Sequence, residues 1–134
     1  MRFEHRGLDR FAVEIEDALR KAPAETLRVV GRGALNVKKD AQRTVRGKLS
    51  GGRSHLRRYP YSISYDVFQG VRGPSAEIGP DPSKKRLQGT LGGVVEYGSP
   101  TSAPMPHMRP AGEREVPKFA QALEDLAAKL LEGR

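Results

Sequence analysis

The chain has 134 residues, of which 37% are apolar and 6% aromatic, enough for one domain with a modest core. It contains no cysteine, which removes disulfides, thiolate nucleophiles and cysteine-based zinc sites, and no run approaches the ~20 apolar residues of a bilayer-spanning helix. The formal charge of +8 favours a polyanionic neighbour, and a core this thin fits either apolar surface completed by other subunits or partly disordered loops. Met1 to Arg6 has no apolar run behind it, so no secretory signal is expected and the protein is placed in a cytoplasm.

Leu8, Phe11, Ala12, Ile15 and Leu19 recur at helical spacing, which predicts a helix from about 8 to 21, interrupted by Pro23. Leu27, Val30, Ala34, Val37, Ala41 and Val45 predict a second helix over about 24–46. Gly31 and Gly33 weaken its middle by roughly 1 kcal/mol each, and would admit another element closely. Residues 47–59 read as a basic loop. Tyr61, Ile63, Tyr65 and Val67 then alternate with Ser62, Ser64 and Asp66, the pattern of a half-buried strand over 61–68 with Tyr61 in the core. Residues 75–79 can pair back as a hairpin. A second basic loop spans 80–93, and 93–97 reads as another strand, with a helical turn as the alternative. Phe119, Leu123, Leu126 and Leu130 belong to a closing amphipathic helix from about 116 to 132, with Pro117 in its first turn. These four are expected to be buried. The fold class is α+β: a small antiparallel sheet with a hairpin, packed by two N-terminal helices and a C-terminal helix, in a single domain over 1–134.

The chemistry-bearing residues are sparse. His5, His55 and His107 lie far apart and none has a second ligand at metal spacing, so no metal or cofactor is expected. Neither Gly47-Lys48 nor Gly51-Gly52 sits in a phosphate-loop motif. Glu96 has no acid or base beside it in sequence, and a structural hydrogen bond or subunit contact is its expected role. The cations are denser. Eight lie between Lys38 and Arg58 against one acid, Asp40, and Lys84, Lys85 and Arg86 add a second cluster. Arg53, Arg57, Arg58, Lys84, Lys85 and Arg86 are the candidates for sequence-blind contact with nucleic acid, against the alternative of a solvated basic face.

Three short elements occur in a telling order. Leu56-Arg57-Arg58 runs to Ser62-Ile63. Val95-Glu96-Tyr97-Gly98-Ser99 follows, and then Pro106-His107-Met108-Arg109-Pro110-Ala111 before the last helix. This arrangement resembles the small tail-completion, or head–tail joining (neck), proteins of long-tailed bacteriophages. The resemblance covers the chain after about Ala24. Two departures are visible: Arg53-Ser54 stands near the family's usual Thr-Gly, and His107 stands where an aromatic is usual.

The resemblance implies a non-enzymatic virion protein at the head–tail junction, made in the host cytoplasm. Identical subunits would form a ring, expected to hold six copies, beside head–tail connector and tail tube proteins. Its basic loops would face the lumen, with sequence-blind contact to genomic DNA, or an acidic neighbouring ring, and it would have no membrane partner. Glu96, Tyr97, Gly98, Pro106, His107, Met108 and Arg109 would contact neighbours, with the proline-rich stretch near 98–110 as an arm. Two other readings stay open: a small basic toxin-type ribonuclease, and a monomeric DNA-binding accessory protein. Capsid and tail genes beside this one would favour the first reading, an antitoxin gene the ribonuclease.

Overall fold

The computed structural model describes residues 18–133. Residues 18–20 are helical, and the rest of the helix expected near 8–21 lies outside the described residues. Helix α1 spans Pro23–Leu49, starting on proline as its first turn allows and running slightly past the predicted bounds. Its buried stripe is Val30, Ala34, Val37, Ala41, Val45 and Leu49. Gly31 lies opposite Val67, and the Phe119 ring sits 3.1 Å from where a Gly33 side chain would begin. The glycines therefore trade helix propensity for close approach of a strand and a helix.

Strand β1 (Ile63–Gly70) pairs antiparallel with β2 (Gly73–Pro80) across a tight turn, in a register that sets Tyr65 opposite Ile78 and Val67 opposite Ala76. The hairpin lies against α1. Among the described residues the sheet has these two strands alone. The fold is α+β, as the pattern predicts.

The sheet begins two residues later than expected. Tyr59–Ser62 forms a 3-10 turn, in which the Ser62 hydroxyl donates to the Tyr59 carbonyl at 2.7 Å. Tyr61 is expected in the core, and the turn puts Tyr59 there instead. Tyr59 is fully buried, whereas Tyr61 is 56% exposed and carries the Arg46 guanidinium 4.9 Å from its ring centre.

The expected strand at 93–97 is a short helix, α2 (Gly92–Tyr97). Val95 and Glu96 are both buried while Val94 and Tyr97 are exposed. A strand turns neighbouring side chains to opposite faces, so two adjacent inward residues need a helical turn.

The closing helix, α3, starts at Met108 rather than near 116 and runs to Glu132, with Pro117 in its interior. Pro110 falls in its first turn, where its missing N–H costs no intrahelical bond. Helix α3 packs along α1. The Arg114 guanidinium forks onto Asp40 at 2.7 and 2.8 Å, and its hydrogen bonds hold that carboxyl below the usual range. Asn36 donates to Glu115 at 3.0 Å. Phe119, Leu123, Leu126 and Leu130 are half-buried, not buried as predicted; Ala111, Glu115 and Ala127 are the buried residues of this helix. The Phe119 ring meets α1 at Gly33, where the absence of a side chain leaves room for it.

The core gathers at one end of the molecule. The last turns of α1 meet Leu56, Tyr59, Ile63, Val95, Met105 and Ala111 there. Four stretches of the chain, 37–49, 56–63, 95 and 105–111, meet there.

Candidate functional site

Two arrangements of polar side chains stand out, one sealed and one open. The sealed one joins Glu96, His107 and Tyr59, which are 7%, 0% and 0% exposed. Glu96 projects from α2 towards the first turn of α3. Its Oε1 accepts from the backbone N–H of His107 at 3.0 Å and of Met108 at 2.8 Å, and its Oε2 accepts from Arg109 N–H at 3.3 Å. A helix start leaves its first N–H groups unpaired, and an anion there also faces the positive end of the helix dipole. Here a carboxylate more than ten residues upstream performs the capping that a local Ser or Asp usually supplies.

His107 ties this cap to the core. Its Nδ1 lies 2.8 Å from the Met105 carbonyl and 3.0 Å from Glu96 Oε1, and its Nε2 lies 2.8 Å from the Tyr59 hydroxyl. The carbonyl partner places the proton on Nδ1. Nε2 then accepts from the tyrosine, whose ring meets the imidazole edge-on at 5.3 Å.

Burial pushes the imidazole down, against the Met105 carbonyl and the Glu96 carboxylate, which push it up. Burial pushes Glu96 up, but the three backbone donors and His107 outweigh it and leave the carboxyl below its ordinary value. Burial, with Glu96 adding, pushes the Tyr59 phenol far up. At neutral pH the set is therefore a carboxylate, a neutral imidazole and a neutral phenol.

These shifts predict a pH dependence of stability. The unfolded chain protonates His107 near pH 6.5, whereas the folded protein resists it. Stability should be complete above about pH 6.5 and fall as the pH drops through that value, by at most about 1.4 kcal/mol per pH unit. Glu96, depressed in the folded protein, adds a further loss below about pH 4.5 in the same direction. Urea unfolding at pH 7.5, 6.5 and 5.5 measures the first loss. In His107→Gln the slope over that range should largely vanish. An unchanged slope would assign the acid sensitivity to other groups.

The open arrangement is basic. His55, Arg57, Arg58, Arg86 and Gln88 line a surface concavity of about 400 Å³. It unites residues from the two basic loops, which carry 3-10 turns at Ser54–Leu56, Lys85–Leu87 and Gly89–Leu91. Gln88 fastens the loops together: its Nε2 donates to the His55 carbonyl at 2.6 Å, from a backbone held left-handed at φ 63°. Its Oε1 is buried without a partner.

Of the six candidate cations, Arg57, Arg58 and Arg86 come together here. Arg53 instead donates to the Ala103 carbonyl at 2.9 Å, and Lys84 and Lys85 do not line the concavity. Sequence reasoning missed His55 and Gln88 as members. A left-handed glutamine between basic loops leaves no periodic signal.

The candidate neighbour-contact residues divide by exposure. Glu96 and His107 are occupied within the protomer, and Met108 packs on its core. Gly98 turns the chain at φ 79°. Tyr97 is 77% exposed, Pro106 is exposed, and exposed Arg109 pairs with Glu113 at 3.0 Å.

The proline-rich stretch near 98–110 is not a free arm. Met105 N–H donates to the Val95 carbonyl at 2.7 Å, Lys48 Nζ donates to the Pro106 carbonyl at 3.0 Å, and residues from 108 on are helical. The segment is thus held through amides between its prolines, through the Pro106 and Ala103 carbonyls, and through the buried Met105 and His107 side chains.

Among the described residues, no group of three or more His, Cys, Asp or Glu could hold a metal ion, and no helix is long and apolar enough to cross a membrane. Compared with protein families, curated proteins and solved structures, the chain matches none.

Proposed function

We propose that this chain is a structural virion protein of a long-tailed phage, forming a ring at the head–tail junction. The observation that carries the reading is the meeting of two of its sequence elements. Val95-Glu96-Tyr97-Gly98-Ser99 and Pro106-His107-Met108-Arg109-Pro110-Ala111 close on each other through the Glu96 carboxylate and the His107, Met108 and Arg109 amides. Residues that carry the resemblance thus act as one structural unit, which explains why an acid and an extended proline segment occur in that order.

The surface left over supports an assembly role. Val94 and Tyr97 on α2 are 45% and 77% exposed, large apolar groups that a neighbouring copy would cover. In a ring each subunit offers one patch to a different patch on the next. The ribonuclease reading gains little from the Glu96–His107–Tyr59 set, because that set is sealed and would have to open before it met a substrate.

Imaging of whole phage particles containing the chain tests the proposal. A ring of identical subunits, expected to hold six, should sit between head and tail. Tyr97→Ser should lower the yield of joined particles while leaving the protomer folded. Particles with one isolated copy, or with the chain elsewhere, overturn the reading.

A further inference from the structure

We propose that Arg57, Arg58 and Arg86 form a discrete phosphate-binding site for the backbone of duplex nucleic acid. The site does not rest on the ring reading. It follows from three cations that converge on one concavity without a counter-charge.

Four other arginines have partners, and Arg28, Arg32 and Arg72, which have none among the described residues, lie outside the concavity. Arg114 is forked onto Asp40, Arg109 pairs with Glu113, Arg53 reaches a carbonyl and Arg46 covers a tyrosine ring. Among the described residues, the side chains of Arg57, Arg58 and Arg86 have no hydrogen bond or ion pair partner. Asp81, the acid nearest to Arg86 in sequence, already accepts from the backbone and hydroxyl of Ser83 at 2.9 and 2.6 Å. Among the described residues no acid lines the concavity, so a bound anion would meet cations and no like charge there. The guanidinium fork matches phosphate oxygens two at a time, which an ammonium cannot do.

The loops are fixed before a ligand arrives. Gln88 bonds them side chain to backbone, and the 3-10 turns hold both sides of the concavity. This lowers the ordering cost of binding. The nearby aromatic rings favour a backbone reader. Tyr59 is buried and Tyr61 carries Arg46 on its ring, so neither is a free platform for stacking a base. Single strands are held largely by such stacking, whereas a duplex presents its phosphates with bases already stacked. The expected ligand is therefore duplex phosphodiester, bound without sequence preference.

The test is fluorescence anisotropy with a labelled 24-base-pair DNA duplex, titrated with the full chain at several salt concentrations. The triple variant Arg57→Gln, Arg58→Gln, Arg86→Gln should weaken binding at low salt by about 30-fold or more. Its log–log salt slope should flatten by about 3, about one per lost phosphate contact. The control triple Arg28→Gln, Arg32→Gln, Arg72→Gln removes the same charge from exposed positions outside the concavity. It should stay within about threefold of wild type. Circular dichroism checks that both variants are folded.

The proposal fails if the control loses as much affinity as the site variant, because net charge alone would then explain binding. It fails if the site variant binds as wild type does, or if a single strand binds tenfold tighter than the duplex. Displacement of the duplex by millimolar inorganic phosphate at fixed ionic strength would also overturn it, by making free phosphate the ligand. Duplex binding by this site, in a chain absent from the head–tail junction, would keep the site and discard the ring reading.

Discussion

Glu96→Ala is expected to destabilise the folded protein by about 3–5 kcal/mol, as several backbone donors lose one shared buried acceptor. The carboxylate is 7% exposed and accepts from three successive backbone N–H groups at the start of α3. Alanine leaves those donors inside with no acceptor, and each buried orphan costs on the order of 1–3 kcal/mol. The imidazole of His107 also loses the anion at 3.0 Å. Glu96→Gln keeps one carbonyl oxygen and should cost less, about 1–2 kcal/mol. Urea unfolding gives the stabilities. Hydrogen exchange at the amides of His107, Met108, Arg109 and Ala111 should show where the loss falls. If Glu96→Ala stays within 1 kcal/mol of wild type, the long-range cap is not what starts α3 at Met108.

Gly89→Ala should be at least as disruptive, at about 3 kcal/mol or more, by overpacking a site that cannot yield. Gly89 is buried, and a methyl group there would overlap the Asp81 carbonyl oxygen, with the carbonyl carbon 2.7 Å away. Both are backbone atoms, so no rotamer change relieves the clash. The loop from Asp81 to Gln88 would have to open. That would break the bonds from Lys84 N–H to Asp81 O and from Gly89 N–H to Lys84 O. Opening would also displace Arg86 and Gln88, so the folded fraction should bind duplex DNA less well than wild type. Gly93→Ala is the matched control. Nothing lies within 4 Å of its added carbon, and it sits in α2, so it should be neutral or stabilise by up to about 1 kcal/mol. Equal stabilities for the two variants would show that the 81–89 loop is not packed as described.

Several elements could be read directly from the chain. The stripe from Val30 to Val45 placed α1 to within a few residues at each end, because a helix buries one face at a period that apolar side chains record. The alternation around Ile63 to Val67 located β1, and residues 75–79 pair back on it in β2 as the pattern predicts. Two misplacements share one cause. The expected strand at 93–97 and the late start of the last helix both hinged on Glu96, whose partners lie 11 to 13 residues away. No window along the chain reports a carboxylate capping a distant helix.

By itself, then, the sequence determined the α+β class, the main helices and hairpin, the basic character of two loops, and the absence of any cysteine chemistry. Each of these is a local property: periodicity, composition, or residue identity. The tertiary structure alone decided that Glu96, His107 and Tyr59 meet inside the core. It also decided which cations act together, binding Arg53 to a backbone carbonyl and bringing Arg57 and Arg58 beside Arg86. Charge is written in the chain, but whether a charge is paired, buried or free depends on the residues that folding places next to it.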